Sequence, residues 1–128
     1  MTQATQLERL ERVRAILKRS VKAKRGIRIG NHRVDISMGI WCHRNACGTE
    51  ACLLGTCGLD PWFRRRGLKT ELDRDGYDET ISYRGFGYTA AGMHFFGLTE
   101  EEAVQWFHAP GANAALTICD QLITKYRQ

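Results

Sequence analysis

Hydrophobic residues near the N-terminus recur every three or four positions, which is the spacing of one face of an α-helix. The residues of this stripe are Leu7, Leu10, Val13, Leu17 and Val21. Thr5 and Glu8 precede most of the stripe with the spacing of a capping box, and Gly26 follows it as a stop signal. The pattern predicts a first amphipathic helix over residues 5–24.

Between residues 27 and 41 the apolar residues alternate with polar or small ones, a period of two that is typical of a strand. The alternating residues are Ile27, Ile29, Val34, Ile36, Met38 and Ile40. Gly30-Asn31 interrupts them with a turn signal. We therefore expect a short hairpin or extended segment, which is too small to be stable alone and must lean on helices.

The rest of the chain carries further helix signals. Thr49 is a candidate cap for a short helix over residues 50–55, and Asp60 followed by Pro61 marks the start of another. Residues 69–87 are polar and rich in glycine, which predicts a long surface loop. Three more helices are predicted over 88–96, from a Thr99–Glu102 capping box to residue 107, and over 112–126.

These elements predict a mainly α fold, a compact bundle of five to six helices with a small extended or hairpin segment near residues 27–41. The length of 128 residues favours one domain, residues 1–128. Hydrophobic residues make up 43% and charged residues 26% of the chain, a balance typical of a folded globular protein.

The net charge of +5 is concentrated at the N-terminus. Residues 1–33 hold ten Lys and Arg residues against two Glu residues, whereas the remainder is mildly acidic. Such a basic helix attracts phosphate groups, so nucleic acid is a possible partner, although a solvated helix face has the same composition. The residues that would contact nucleic acid are Arg12, Lys18, Arg19, Lys22 and Arg25.

The chain has no apolar run near the roughly 20 residues that span a bilayer, and its N-terminus is polar rather than a signal peptide. These features predict a cytoplasmic protein with no membrane partner. A reducing compartment disfavours structural disulfides, including one between Cys47 and Cys52.

Four of the five cysteines stand at five-residue intervals: Cys42, Cys47, Cys52 and Cys57. Because free cysteine behaves as a small hydrophobic residue, we interpret the segment as packing filler that lets a helix lie close to its neighbours. A metal site is the alternative, with Cys42, His43 and Cys47 as ligands. It lacks the usual ligand spacing for zinc and needs a distant fourth ligand, so no cofactor is predicted.

Two catalytic or binding motifs are weaker still. Cys47 precedes a predicted helix start, where the dipole favours a thiolate, but the histidines that could serve as its base all have simpler structural roles. Residues 71–79 resemble half of a calcium loop, yet the twelfth position is Ser82 rather than Glu. No catalytic residue is therefore predicted.

Three segments resemble a group of small bacteriophage and bacterial proteins of uncharacterised function. That group carries a Met-x-x-Trp stretch, matched by Met38–Trp41, and a Cys-Gly-Thr-x-x-Cys-x-x-Gly motif, matched by residues 47–55. It then carries Gly-Leu-[Ser/Thr]-x-x-x-Ala, matched by residues 97–103. The resemblance implies a compact accessory protein of mobile-element origin and carries no catalytic role over to this chain.

Together these observations predict a non-enzymatic accessory protein of phage or mobile-element type. We expect it to bind a protein partner stoichiometrically, as an inhibitor of host defence would. Tryptophan and arginine are enriched at binding hot spots, so the expected partner-binding cluster is Trp62, Phe63, Arg64, Arg65 and Arg66. The alternatives are the nucleic-acid-binding protein described above and a zinc- or cysteine-dependent enzyme.

Overall fold

The structure is a computed structural model, described for residues 1–23, 26–36, 42–45, 48–72 and 79–128. Within these ranges, residues 42–45, 48–51, 72 and 79 are described by their backbone alone. The helices are α1 (Gln3–Lys22), α2 (Leu53–Leu59), α3 (Pro61–Arg65), α4 (Tyr88–Phe96), α5 (Glu100–Phe107) and α6 (Ala112–Arg127).

The strands form two small sheets. They are β1 (Ile27–Ile29), β2 (His32–Ile36), β3 (Cys42–Asn45), β4 (Gly48–Ala51), β5 (Lys69–Leu72), β6 (Glu79–Tyr83) and β7 (Phe86–Gly87). The first sheet has the order β1-β2-β4-β3 and is mixed. Strands β2 and β4 run parallel, whereas the pairs β1–β2 and β3–β4 are antiparallel. The second sheet, β5-β6-β7, is antiparallel.

The predicted mainly α bundle is therefore wrong, since the fold mixes α and β elements. The hairpin expected around Gly30-Asn31 is confirmed as β1 and β2, but it is only part of a four-stranded sheet. Residues 37–41 of the predicted segment, with Met38 and Ile40, lie outside the described residues. Several helix signals also hold. Pro61 opens α3, Gly97 ends α4 in the left-handed conformation, and Thr99 and Glu102 form a full capping box at α5.

Two predicted helix caps are wrong. The first helix begins earlier than expected, because Thr2 rather than Thr5 caps it by accepting a hydrogen bond from the Thr5 backbone N–H. Thr49 lies in β4, where it pairs with Val34. The cap of α2 is Cys52, whose Sγ accepts from the Gly55 N–H at 3.3 Å. Strand pairing has replaced the local cap at Thr49.

The loop predicted over residues 69–87 is also wrong, because this segment contains all three strands of the second sheet. Thr70 pairs with Ile81 across β5 and β6, and both side chains are buried, as is Tyr83. Alternate positions in these strands face solvent, as one side of an antiparallel sheet commonly does. The polar residues on the solvent-facing side give the sequence of this segment the composition of a loop.

Helix α2 lies at the centre of the molecule, and all of its residues are buried. Its close neighbour is β5. The Thr70 hydroxyl donates to the Gly55 carbonyl at 2.9 Å, and a Cβ placed on Gly58 would lie 2.1 Å from the Thr70 Oγ1. Only glycine fits at residue 58 without displacing the strand.

The core continues from α2 into a group of aromatic rings on α3, α4 and α5. Phe63 contacts Phe95 and Phe96 edge to face, with ring centroids 5.6 and 5.9 Å apart. Phe96 also packs against Trp106 at 5.3 Å, and the Trp106 indole N–H donates to the Ala115 carbonyl of α6. Such edge-to-face pairs add to the stabilisation from buried area, so these rings fix how the helices pack.

Glu102 joins α5 to α6. Its carboxylate accepts hydrogen bonds from the Lys125 ammonium at 2.6 Å, from the Tyr126 hydroxyl and from the Thr99 N–H at 2.9 Å. Burial alone would raise the pKa of Glu102, but these hydrogen bonds outweigh burial and lower its pKa to about 2. Burial and the adjacent carboxylate raise the pKa of Tyr126 to about 12.

Replacing Glu102 with Gln should lower the free energy of unfolding by about 2 kcal/mol at neutral pH, because the side chain is 13% exposed and loses a charged hydrogen-bond network. Gln can still complete the capping box. Because the folded pKa lies below the ordinary value of 4.5, the wild-type advantage is complete above that value and is lost as the pH falls toward 2.

Urea unfolding of both proteins measures this difference, which should shrink by more than half between ~pH 6 and ~pH 3. The matched control is Glu101→Gln in the same helical turn, where the exposed side chain should matter little at either pH. A loss for the Glu102 variant that is equal at both pH values would contradict the role of the charged network.

Candidate functional site

The cysteine segment is partly inside the described residues. Cys52 and Cys57 are buried against the core, so the packing interpretation is confirmed for these two residues of the segment. Cys119 of α6, outside the segment, is buried as well. Burial and the nearby Asp60 raise the pKa of Cys57 well above its ordinary value. Burial also raises the pKa of Cys119 to about 12. These thiols remain protonated and unreactive at neutral pH.

The side chains of the predicted alternative metal ligands are not described, so the structure does not test this metal site. Cys42 and His43 lie in β3, where the backbone alone is described, and Cys47 lies outside the described residues. Among the side chains that are described, no group of three His, Cys, Asp or Glu residues is placed to hold a metal ion. Most of the half-calcium loop, residues 73–78, also falls outside the described ranges.

The predicted partner-binding cluster does not form one exposed surface. Phe63 is completely buried among the core rings. Trp62 is partly buried and covered by the Arg66 guanidinium, which lies 3.5 Å from its ring centroid. Arg66 also donates to the Trp62 carbonyl at 3.0 Å. The stacking is internal, so Trp62 and Arg66 have less surface to offer a partner.

Arg64 is likewise occupied within the chain. Its guanidinium donates to the carbonyls of Gly58 and Thr70 at 3.1 and 2.7 Å, and to the Glu71 carboxylate at 2.9 Å. These bonds tie α3 to the end of α2 and to β5. Of the five predicted residues, Arg65 is exposed and forms no ion pair with the described residues.

Arg12 was predicted to contact nucleic acid, but the structure gives it another partner. Its guanidinium donates twice to the Asp60 carboxylate, at 3.0 and 3.1 Å, and the Asp60 side chain is only 5% exposed. Asp60 sits at the junction of α2 and α3. The hydrogen bonds and charge of Asp60 raise the pKa of Arg12 above its ordinary value. Arg12 is therefore committed to docking α1 against this junction.

The remaining predicted nucleic-acid residues lie at the C-terminal end of α1. Lys18, Arg19 and Lys22 are exposed, and Arg25 lies outside the described residues. Arg19 donates to the Arg28 carbonyl at 2.8 Å, which places β1 beside the helix end. We define the basic surface as Lys18, Arg19, Lys22, Arg28 and Arg33.

Arg28 and Arg33 were missed as candidate residues by the sequence analysis. They are direct partners across β1 and β2, and both are exposed, so they share the outer face of the hairpin. Asp35 is exposed two residues along β2 but forms no ion pair with either arginine in the described structure. The turn signal at Gly30-Asn31 could have revealed this pair, because it fixes the register of the two strands.

Two cavities lined by described residues do not add a clearer site. One of about 560 Å³ is an open depression on the outer face of α6, and one of about 330 Å³ lies along the α1–α6 junction.

No helix within the described ranges has the length and apolar character needed to cross a bilayer. No protein-family model, curated protein or solved structure matches this chain.

Replacing Arg12 with Ala should lower the free energy of unfolding by about 2 kcal/mol. The Arg12 side chain is itself 43% exposed, but its removal leaves the Asp60 carboxylate, which is 5% exposed, without a countercharge. Adding Asp60→Asn should recover part of this loss, since the neutral amide is less costly to bury. Urea denaturation of the single and double variants measures both effects.

The matched control is Arg14→Ala on the same helix. Arg14 pairs with Asp120, but the two side chains are 41% and 50% exposed, so the loss should stay below about 1 kcal/mol. If the Arg12 and Arg14 variants were equally stable, Arg12 would have no special structural role and would return to the set of candidate ligand contacts.

Cys57 and Cys119 should resist a thiol reagent in the folded protein at ~pH 8, because the reactive thiolate is both hidden and disfavoured. Both should react fully once the chain is unfolded in urea. Mass spectrometry of the peptides that contain each cysteine measures the extent of labelling. Labelling of either residue within minutes in the folded protein would count against the packing interpretation.

Proposed function

We propose that the protein is a small non-enzymatic binding protein, and that nucleic acid is the partner which its geometry supports best. The observation that carries this proposal is the basic surface. Its five side chains are exposed, and none forms an ion pair with the described residues. By contrast, the paired basic residues lie elsewhere, at Arg12, Arg14, Arg64, Arg66, Lys125 and Arg127.

A structural role explains only part of this surface. Arg19 and Lys22 lie in the last turn of α1, where cations are favoured by the negative end of the helix dipole. The helix dipole does not explain Arg28 and Arg33, which lie on strands. Like charges directly opposite each other across two strands destabilise the pair.

An anionic partner would neutralise the repulsion between Arg28 and Arg33 and so make their proximity favourable. Phosphate oxygens can bridge two guanidinium groups, and arginine binds phosphate with paired hydrogen bonds. A nucleic-acid backbone presents phosphates at regular intervals, so it could contact the helix end and the hairpin together. Such contacts release bound counterions, which supplies the affinity and makes it depend on salt.

The proposed binding role is compatible with an accessory protein of mobile-element type acting in the cytoplasm, which stays a prediction from the sequence. Binding to a host protein through Trp62 and the neighbouring arginines is less favoured by the geometry. Phe63 is buried, and Arg64 and Arg66 already have partners within the chain.

A gel-shift series with single- and double-stranded oligonucleotides tests the proposal. If four or five phosphates are neutralised, log Kd should rise with log salt with a slope of about 4 on duplex DNA. The informative variant is the double change Arg28→Gln and Arg33→Gln. It should lower that slope by about 2 and leave the protein as stable as the wild type or slightly more so, because the like-charge pair is removed.

The matched control is Arg65→Gln, which removes one exposed arginine outside the basic surface and should leave the slope unchanged. Thermal unfolding of all variants separates a loss of binding from a loss of folding. The proposal fails if the wild type shifts neither oligonucleotide at ~20 mM salt, or if the double variant keeps the wild-type slope.

A further inference from the structure

A second site lies where the start of α1 meets the β6–β7 turn and α4. The cavity there has a volume of about 300 Å³, at the small end of the range for ligand sites. Its lining includes two arginines, a histidine and aromatic rings but no Asp or Glu: Thr5, Arg9, Tyr83, Arg84, Phe86 and His94. The cavity shares no residue with the basic surface, so its function can be tested separately.

The turn that borders this cavity is built from an unfavourable residue. Arg84 and Gly85 have φ values of 50° and 85°, the left-handed pair required by a two-residue hairpin turn. Asn-Gly is the preferred sequence for that turn, because an arginine side chain is strained at positive φ. The turn requires the left-handed conformation but not an arginine, so the stability of the turn does not explain the residue at position 84. Strained residues of this kind concentrate at ligand sites.

The Arg84 guanidinium is also free to receive a ligand. It lies 5.2 Å from the Tyr83 ring centroid, and within the described structure it donates no hydrogen bond and forms no ion pair. The neighbouring Gly85 has no atom within 4 Å of the position that a Cβ would occupy, so the turn is open on that side. Arg84 thus combines a strained backbone with unused donors at the mouth of a cavity.

Arg9 supplies a second, fixed cation. Its guanidinium lies 4.0 Å from the Phe95 ring centroid and donates to the Phe95 carbonyl at 2.6 Å. The same group lies 3.5 Å from the Met1 sulfur, and its buried Nε has no acceptor among the described atoms. The ring and the carbonyl hold Arg9 in place, so little side-chain entropy would be lost when it meets an anion.

Phe86 and His94 form a flat wall of the cavity. Their rings are stacked with centroids 3.6 Å apart and an angle of 16° between the planes. The Phe86 residue is 41% exposed, although a phenyl ring is normally buried. A planar group in the cavity could stack on this exposed ring face.

We propose that this cavity binds a small organic anion that carries a planar ring. Its carboxylate or phosphate group would accept hydrogen bonds from Arg84, beside the positive charge of Arg9, while the ring would lie against Phe86. Paired donors from guanidinium suit both carboxylates and phosphates, so the shared chemistry is an oxyanion attached to a ring.

Titration calorimetry with three probes tests the proposal: adenosine 5′-monophosphate, benzoate and inorganic phosphate. At least one ring-bearing probe should bind saturably with a Kd below about 1 mM, and at least about tenfold more tightly than inorganic phosphate. Binding of the nucleotide alone indicates a phosphate ligand, and binding of benzoate alone indicates a carboxylate. The proposal is overturned if neither ring-bearing probe saturates below about 10 mM, or if inorganic phosphate binds as tightly as both.

Two variants locate the binding. Arg84→Asn should weaken it at least about tenfold while the melting temperature stays equal or rises, because Asn tolerates the left-handed turn. Phe86→Leu should also weaken it, since it removes the ring face but keeps an apolar side chain. Arg65→Gln, an equal loss of charge elsewhere, should bind as the wild type does. Wild-type affinity in both the Arg84 and Phe86 variants would place the ligand outside this cavity and end the proposal.

Discussion

The close contact between α2 and β5 is the constraint on which the rest of the structure depends. A helix with every residue buried must meet neighbours on all sides, and α2 does so through glycine and cysteine. At Gly58 the strand approaches so closely that a methyl group would overlap Thr70. The helix propensity of alanine would favour Ala there by about 1 kcal/mol, yet overpacking of this kind costs about 1–3 kcal/mol. Close packing therefore decides the residue at position 58, and Cys57 of α2 contributes small apolar volume to the same contact region.

The position of α2 in turn determines what the basic charges on α1 can do. Asp60 ends α2 in a buried position, and a buried carboxylate needs a countercharge, which Arg12 supplies. Arg9 is held by the Phe95 ring and carbonyl, and Arg14 pairs with Asp120 of α6. The arginines in the first two-thirds of α1 therefore hold the helix against the rest of the fold. The charges beyond this docked region, at Lys18, Arg19 and Lys22, lack acidic partners in the described structure, so the helix is divided into a structural part and an exposed basic part.

The features that could be predicted from the sequence are those set by neighbouring residues. Thr99 with Glu102, Pro61 and Gly97 mark helix ends through local contacts or backbone preference, and they were identified correctly. Asp60 precedes α3 as expected, but its carboxylate makes no capping hydrogen bond and accepts from Arg12 instead. Pairings between distant residues could not be derived in this way. Thr49 pairs with Val34 across a parallel ladder, and Thr70 meets Ile81 only because β5 and β6 are brought together over α2. The same limit applied to the candidate sites. The sequence predicted Arg12 and Phe63 on binding surfaces, but Arg12 pairs with the buried Asp60 and Phe63 packs among the aromatic rings of the core.

Two arginine sites in the described structure break local rules without an evident gain in stability. One is the pair of arginines facing each other across the β1–β2 hairpin, and the other is Arg84 in a turn that suits Asn-Gly. Both lie at the surface, away from the packing around α2, so neither is forced by the core. Sequences usually agree with their fold at every level except where function requires otherwise. Arginine is the residue at both places, and neither place offers it an acidic partner in the described structure. The anions that we propose as ligands would supply that partner at each place.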